Sequence, residues 1–205
     1  MQGYILNINK VRDEDLIVTI LSSDAIYTTY RFYGARHSNI NIGYKIDFEL
    51  ETNIKSTIPR LKDILQLNYP WILDNDKMYH WQRFIKLFYP HLKDVEEIDD
   101  FYIELLDNLV EKITKQNVKR AIIESYVKLC EYEGRLHSEY ECLLCDMPIE
   151  NNIALVRSFI PTHPTCSYSR GYDISKIDEL FKNKSLISFN DNEVDTLWYI
   201  LLQGL

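Results

Sequence analysis

Four residues in the last third of the chain have the types and spacing to hold a metal. In CLLCDMPIENNIALVRSFIPTHPTC, residues 142–166, two cysteines stand two residues apart. Seventeen residues then intervene before a histidine and a cysteine repeat the spacing. The pattern C-x2-C-x17-H-x2-C lies in the range of structural zinc sites, with His replacing one Cys. The two-residue gap lets a tight turn aim two thiolates at one ion. Cys142, Cys145, His163 and Cys166 would close a tetrahedron around Zn2+ and leave no open position for a substrate. The alternative is a pair of buried cysteines beside an unrelated HPTC. Cys130, in an apolar helical stripe, and His137, in the polar run GRLHSEYE, are the spare donors.

A second group lies near the amino-terminal end. In YRFYGARHS, residues 30–38, Arg31, Arg36 and His37 interleave with Tyr30, Phe32 and Tyr33. Aromatic rings stack on bases and cations meet phosphates, which is how small barrels bind single strands. Taken alone, these residues fit an ordinary strand with core aromatics better than a binding face. Lys55, Arg60 and Lys62 form another basic cluster. Lys112, Lys115, Lys119 and Arg120 form a third, a run that usually marks a solvated face. No phosphate-binding G-x-x-x-x-G-K-[ST], no H-E-x-x-H and no G-x-S-x-G occurs, and no nucleophile stands at a recognisable spacing from a base. The expectation is that the protein is not an enzyme. A small zinc enzyme would need an open coordination position beside a general base.

These residues must be positioned by two kinds of element. YKIDFELE alternates, with Tyr44, Ile46, Phe48 and Leu50 on one face and Lys45, Asp47, Glu49 and Glu51 on the other, the pattern of a half-buried strand. MQGYILNI, LIVTIL (16–21) and AIYTTYRFY (25–33) are further strands, the last two joined by a Ser22–Ser23–Asp24 turn. Four or five short strands in so few residues suggest a small barrel. Beyond it, helical stripes appear at Met78/Trp81/Phe84/Ile85/Phe88, at Ile98/Phe101/Leu105/Leu109/Ile113, at Ile122/Ile123/Tyr126/Val127/Cys130 and at Val194/Leu197/Trp198/Leu201. Asn190 or Ser188 would cap the last helix, and Pro70 and Pro90 would mark breaks between helices. The cysteine segment shows little pattern of its own, so metal binding would supply its folding energy.

The 205-residue chain carries a formal charge of −8, which excludes a simple basic glove for nucleic acid. The acidity is uneven. Residues 1–62 hold eight Lys/Arg against seven Asp/Glu, and residues 63–205 hold fifteen against twenty-four. No apolar run is long enough for a membrane span, and MQGYILNINKVRDEDL lacks the pattern of a secretory signal, so a cytoplasmic location with reduced thiols is expected.

The order of these parts resembles a known family. MQGYILNINKVRDEDLIVTILSSDAIYTTYRFYGARHS resembles the amino terminus of the bacterial RecO recombination mediators, with Gly34, Ala35 and Arg36 matching the G-A-R that ends a strand there. LCEYEGRLHSEYECLLC resembles that family's helix, glycine turn and C-x-x-C, and SFIPTHPTC resembles the segment that returns the second pair of zinc ligands. The family's zinc-containing members commonly show four cysteines, where this chain has three and His163. The resemblance implies an α+β fold, with an amino-terminal OB-fold β-barrel (residues 1–58), a mainly helical domain (59–137 and 171–205) and an inserted zinc-finger-like module (138–170). It implies a DNA repair and recombination mediator that binds single- and double-stranded DNA and anneals complementary strands. With RecR, such a protein helps load RecA onto DNA coated by the single-stranded DNA-binding protein SSB, whose acidic, Phe-terminated tail it engages through the helical domain. It would be nucleoid-associated when acting on DNA. On that reading Arg31, Arg36, His37, Lys45, Lys55 and Arg60 would contact phosphates and Tyr30 or Tyr33 would stack on a base. Only Arg36 is carried by a family-like motif; the others are chosen for charge and position. The Lys112–Arg120 cluster is the candidate for the carboxylate of the SSB tail. The competing class is a protein-interaction scaffold with an OB barrel and structural zinc that does not itself bind DNA appreciably, supported by the net charge.

Overall fold

The computed structural model describes residues 1–36, 39–53, 56–95, 97–137 and 139–205. It forms two compact units, Met1–Thr114 and Lys115–Leu205.

The first unit opens with five strands: β1 (Gln2–Lys10), β2 (Leu16–Leu21), β3 (Ile26–Arg31), β4 (Lys45–Asn53) and β5 (Ser56–Leu67). They close into a barrel in the order β1-β2-β3-β5-β4. All neighbouring pairs are antiparallel except β3 and β5, which run parallel through Tyr30 and Arg60. Alternation drives the closure. Ile5, Val18, Ile20, Ile46, Phe48 and Leu61 point inward and are buried, with Tyr44 and Leu50 packed against them. Each such side chain contributes about 1.5–3 kcal/mol. The face expected for YKIDFELE is the face observed.

Two helices complete this unit, α1 (Asn75–Leu92) and α2 (Phe101–Lys115). Asp74 caps α1 by accepting from the Asp76 and Lys77 N–H groups. Trp81 anchors α1 to the barrel. It is fully buried, and its Nε1–H donates to the Gly43 carbonyl at 2.8 Å, which also accepts from the Tyr69 hydroxyl at 2.6 Å. Gly43 sits at φ 82°, and a Cβ there would fall 2.7 Å from Trp81 Nε1, so only glycine fits. The Asp107 carboxylate of α2 accepts from the Tyr4 hydroxyl at 2.5 Å and from Lys45 Nζ at 2.7 Å. The boundary read at residue 58 therefore falls inside β5, and α1 and α2 group with the barrel. Pro59, Arg60 and Lys62 make the start of β5 look like a loop in the sequence. Pro70 lies between β5 and α1. Pro90 lies inside the last turn of α1 and not at a break; near an exposed helix end its ring and missing N–H are tolerated.

The second unit contains α3 (Val118–Tyr132), α5 (Ile174–Asn183) and α6 (Asp191–Leu201), with α3 packed against both others. Asn190, not Ser188, caps α6 in a reciprocal pairing with Glu193. Arg120 donates to the carbonyls of Leu186 at 2.6 Å and Phe189 at 2.8 Å, and Lys119 to Asp195 at 2.7 Å. Between α3 and α5 lie β6 (Asn152–Val156), β7 (Ile160–Thr162), the single-turn α4 (Pro164–Ser167) and β8 (Tyr172–Asp173). The three strands form a sheet in the order β7-β6-β8. The cysteine segment is thus more structured than its sequence suggests. Among the described residues, no helix is long and apolar enough to cross a membrane.

Candidate metal centre and barrel face

The four expected ligands converge. The Sγ atoms of Cys142, Cys145 and Cys166 and a ring nitrogen of His163 lie within 4.8 Å of one another. Cys145 Sγ is 3.4 Å from His163 Nδ1, and Cys166 Sγ is 3.8 Å from both Cys145 Sγ and His163 Nδ1. A tetrahedral zinc with ordinary bond lengths has S···S edges of ~3.8 Å and S···N edges of ~3.6 Å. The donor set and its spacing fit zinc.

Local backbone builds each half. The Cys142 carbonyl accepts from the N–H groups of Cys145 at 3.3 Å and Asp146 at 2.9 Å, which turns the chain so that both thiols face one point. His163 precedes α4, and Cys166, one turn on, donates its N–H back to the His163 carbonyl at 3.0 Å. Leu143 N–H donates to the Pro161 carbonyl at 3.1 Å and joins the halves. On the imidazole, Nε2 lies 3.1 Å from the Pro148 carbonyl. A carbonyl only accepts, so Nε2 carries the proton and Nδ1 presents its lone pair to the sulfurs, the usual outer-shell arrangement for a ligating histidine.

The electrostatics also call for a cation. Burial pushes the Cys142 thiol up, but the N–H groups of His163 and Leu144 and the neighbouring Cys145 outweigh it and bring it to about 6. The Cys166 thiol is raised, first by burial and then by Cys145 and Cys142. Three sulfurs so close cannot all ionise without a positive charge among them. Of the spare donors, Cys130 is buried within α3 and His137 is exposed in a loop; neither joins the cluster.

On the barrel, the loop between β1 and β2 and the end of β3 enclose a cleft of about 730 Å³, lined by Lys10, Arg12, Asp13, Glu14, Asp15, Phe32, Tyr33 and Arg36. A second cleft of about 350 Å³ is lined by Val11, Arg12, Tyr30, Phe32, Ser56, Ile58 and Arg60. Arg12 and Phe32 belong to both. Asp15 organises the place: it accepts from the Tyr30 hydroxyl at 2.6 Å and the Tyr33 N–H at 2.8 Å, and these bonds hold its carboxyl below the usual range. Phe32 and Tyr33 are left exposed, Phe32 with the Arg60 guanidinium 4.9 Å from its ring centre and Tyr33 with that of Arg36 at 5.2 Å.

Residues 1–72 match the family model for the RecO N terminal. Over that stretch, about a third of the chain, it is similar to the RecO amino terminus. The five-strand closed barrel is consistent with the OB-fold expected of such an amino terminus. No curated protein matches the chain.

Within this barrel the expected contact residues do not share one environment. Tyr30, Tyr33, Arg36 and Arg60 line the clefts. Arg36 also pairs with Glu14, and Arg60 lies 3.7 Å from Glu51. Arg31 is half-buried and donates to the Leu61 carbonyl at 2.9 Å, across the barrel wall. Lys45 pairs with Asp107 and lies over the Tyr4 ring, in the packing of α2 on the barrel. His37 and Lys55 lie outside the described residues. Lys10 and Arg12 join the clefts without having been singled out, and Phe32, noted in YRFYGARHS but not among the expected contacts, joins them too. Phe32 was signalled by its i, i+2 relation to Tyr30, which puts both on one strand face. Arg12 had only its place in the β1–β2 connection, which matters once the barrel is an OB-fold, where that loop borders the oligonucleotide-binding face.

Proposed function

We propose that this protein is a RecO-type recombination mediator that binds single-stranded DNA across the two barrel clefts. The observation that carries the reading is Phe32, an exposed ring shared by both clefts, with Arg12 beside it and the Arg60 guanidinium against it. A base stacks on Phe32 or Tyr33 while phosphates meet Arg12, Arg60, Lys10 and Arg36. Among the described residues Lys10 and Arg12 make no close ion pair, though Arg12 is near enough to Asp15 for the two charges to attract. The acidic Asp13 and Glu14 at the rim moderate affinity, which suits a protein that must release annealed product. Binding duplex DNA, annealing, and loading RecA together with RecR follow from the family as parts of this proposal. Annealing needs no nucleotide hydrolysis and no catalytic residue, and we take the protein to be non-enzymatic.

In the metal centre, Cys142, Cys145, His163 and Cys166 would hold zinc. Bound there, zinc neutralises the three thiolates and braces the β6–β8 segment. All four ligands come from the protein, so the role is structural.

The SSB tail has a suitable groove in the second unit. About 330 Å³ in volume, it is lined by Leu136, Tyr140 and Phe181, with His137, Lys182 and Lys184 around them. An aromatic end fits the apolar lining, and exposed Lys182, whose surface pair with Asp178 is 3.1 Å long, could exchange it for the tail carboxylate, with Glu131 also at the groove. This replaces the Lys112–Arg120 cluster as the candidate, because Lys119 and Arg120 are occupied in holding α3 to the α6 region.

The test is fluorescence anisotropy of a labelled single strand over a salt series. A salt-steep affinity that Arg12→Glu with Arg60→Glu abolishes supports the reading. Salt-insensitive or absent binding with intact SSB-tail binding supports the scaffold that the charge of −8 suggests.

A further inference from the structure

The four candidate ligands differ in access. Cys142 is fully buried, Cys145 is exposed, and Cys166 is half-exposed. The two accessible sulfurs are also neighbours, 3.8 Å apart. A disulfide needs an S–S bond of about 2.0 Å, so each sulfur has only about 1 Å to move.

Backbone bonds within each half direct both thiols toward one point, and a bound metal would add to their hold. The turn at Cys142–Asp146, the first turn of α4 and the Leu143–Pro161 link are all main-chain contacts. The β7-β6-β8 sheet anchors the return segment.

We propose that Cys145 and Cys166 form a thiol–disulfide switch that a peroxide-class oxidant closes, and that closing it ends the centre's hold on a metal. This rests on the metal-centre reading above. The accessible Cys145 thiolate attacks one peroxide oxygen; the O–O bond breaks, Cys145 becomes a sulfenic acid and one water leaves. The Cys166 thiolate then attacks the Cys145 sulfur, the S–S bond forms, and the sulfenic hydroxyl leaves as a second water. In total, two thiolates, one hydrogen peroxide and two protons give one disulfide and two waters. The two electrons lost by sulfur reduce the peroxide. Cys142 and His163 are then the only donors left, too few for a tetrahedral site. Cys142 is spared because the oxidant does not reach it, and Cys130 because it is buried in α3.

The experiment uses the full chain. Zinc content is measured first by elemental analysis, then hydrogen peroxide is added with a chromogenic zinc indicator, and non-reduced peptides are mapped by mass spectrometry. The expected result is about one zinc released per Cys145–Cys166 bridge. Dithiothreitol and zinc should restore the loaded form, and Cys130→Ser should behave as wild type. A Cys142–Cys145 bridge, release with sulfinic acid and no bridge, or zinc retained under oxidation overturns the switch. A chain that neither contains nor takes up zinc overturns the metal reading instead, and the same peptide map on that chain still decides whether Cys145 pairs with Cys166.

Discussion

The barrel face and the metal centre are both short loops carried on small sheets, yet different forces hold them. The barrel face rests on a dry core: its strands are placed by inward Ile, Val, Leu and Phe, and its cations stand at the rim of a scaffold that exists without them. The metal centre has little apolar packing of its own. Leu143, Leu144 and Met147 around the first cysteine pair are exposed, and position comes from main-chain hydrogen bonds and the donors themselves. One site is a decoration on a fold; the other is part of what holds its segment together. Perturbing the first should change binding and spare stability, and perturbing the second should do the reverse.

The largest effect should come from the scaffold of the first unit. Trp81→Ala removes a fully buried indole and its bond to Gly43, at about 3–5 kcal/mol. Hydrogen exchange should show the loss in β1, β4 and α1, with protection in α3 and α6 unchanged. Equal loss in both units would break the separation drawn here.

Cys142→Ser should lower zinc affinity by more than about 100-fold, beyond the usual cost of disturbing an outer-shell partner. Isothermal titration reads this directly. Thermal unfolding followed by exchange should show the β6–β8 sheet loosening while the barrel keeps its midpoint. A melt indifferent to both the substitution and chelator would count against the centre.

Two kinds of cation on the barrel sharpen the contrast. Arg12→Ala with Arg60→Ala should lower the slope of log affinity against log salt by about 1.4 for single strands, with stability changed by less than about 0.5 kcal/mol. Lys45→Ala should leave that slope alone and cost about 1 kcal/mol or less, because Asp107 is partly exposed and keeps the Tyr4 hydroxyl. Were Lys45 to move the slope and Arg12 not, the binding face would have to be redrawn.

The smallest effect is in pH. Burial raises the Glu193 carboxyl, but the Asn190 N–H, Lys176 and Arg170 outweigh it, and the net shift is downward from an ordinary value of 4.5. A carboxylate lowered on folding stabilises the fold fully above its unfolded value, and the benefit is lost as pH falls through the folded one. Amide protection at the start of α6 should therefore hold above pH 4.5 and fall progressively below it. Glu193→Gln should remove most of that dependence.

Much of this was legible in the residues. β4 could be read face by face from YKIDFELE because a strand alternates with period two, and the metal ligands from their spacing because one ion admits few geometries. The Asn190 cap was legible for the same reason, since capping is local. What failed was long-range. The strands of the β7-β6-β8 sheet are only two to five residues long, and their partners lie up to twenty-one residues away, so no local period marked them. The start of β5 hid behind Pro59 and two cations.

The sequence by itself determined the inventory: which segments alternate, which turn every 3.6 residues, which four side chains could share one ion, and which rings and cations lie near each other along the chain. Only the tertiary structure decided how the cations divide. Lys45 and Arg36 look equivalent in the sequence, but Lys45 meets Asp107, sixty-two residues on, while Arg36 lines a cleft with Phe32 and Arg12. Burial and charge pairing depend on which elements pack together, and no property of a residue and its near neighbours contains that.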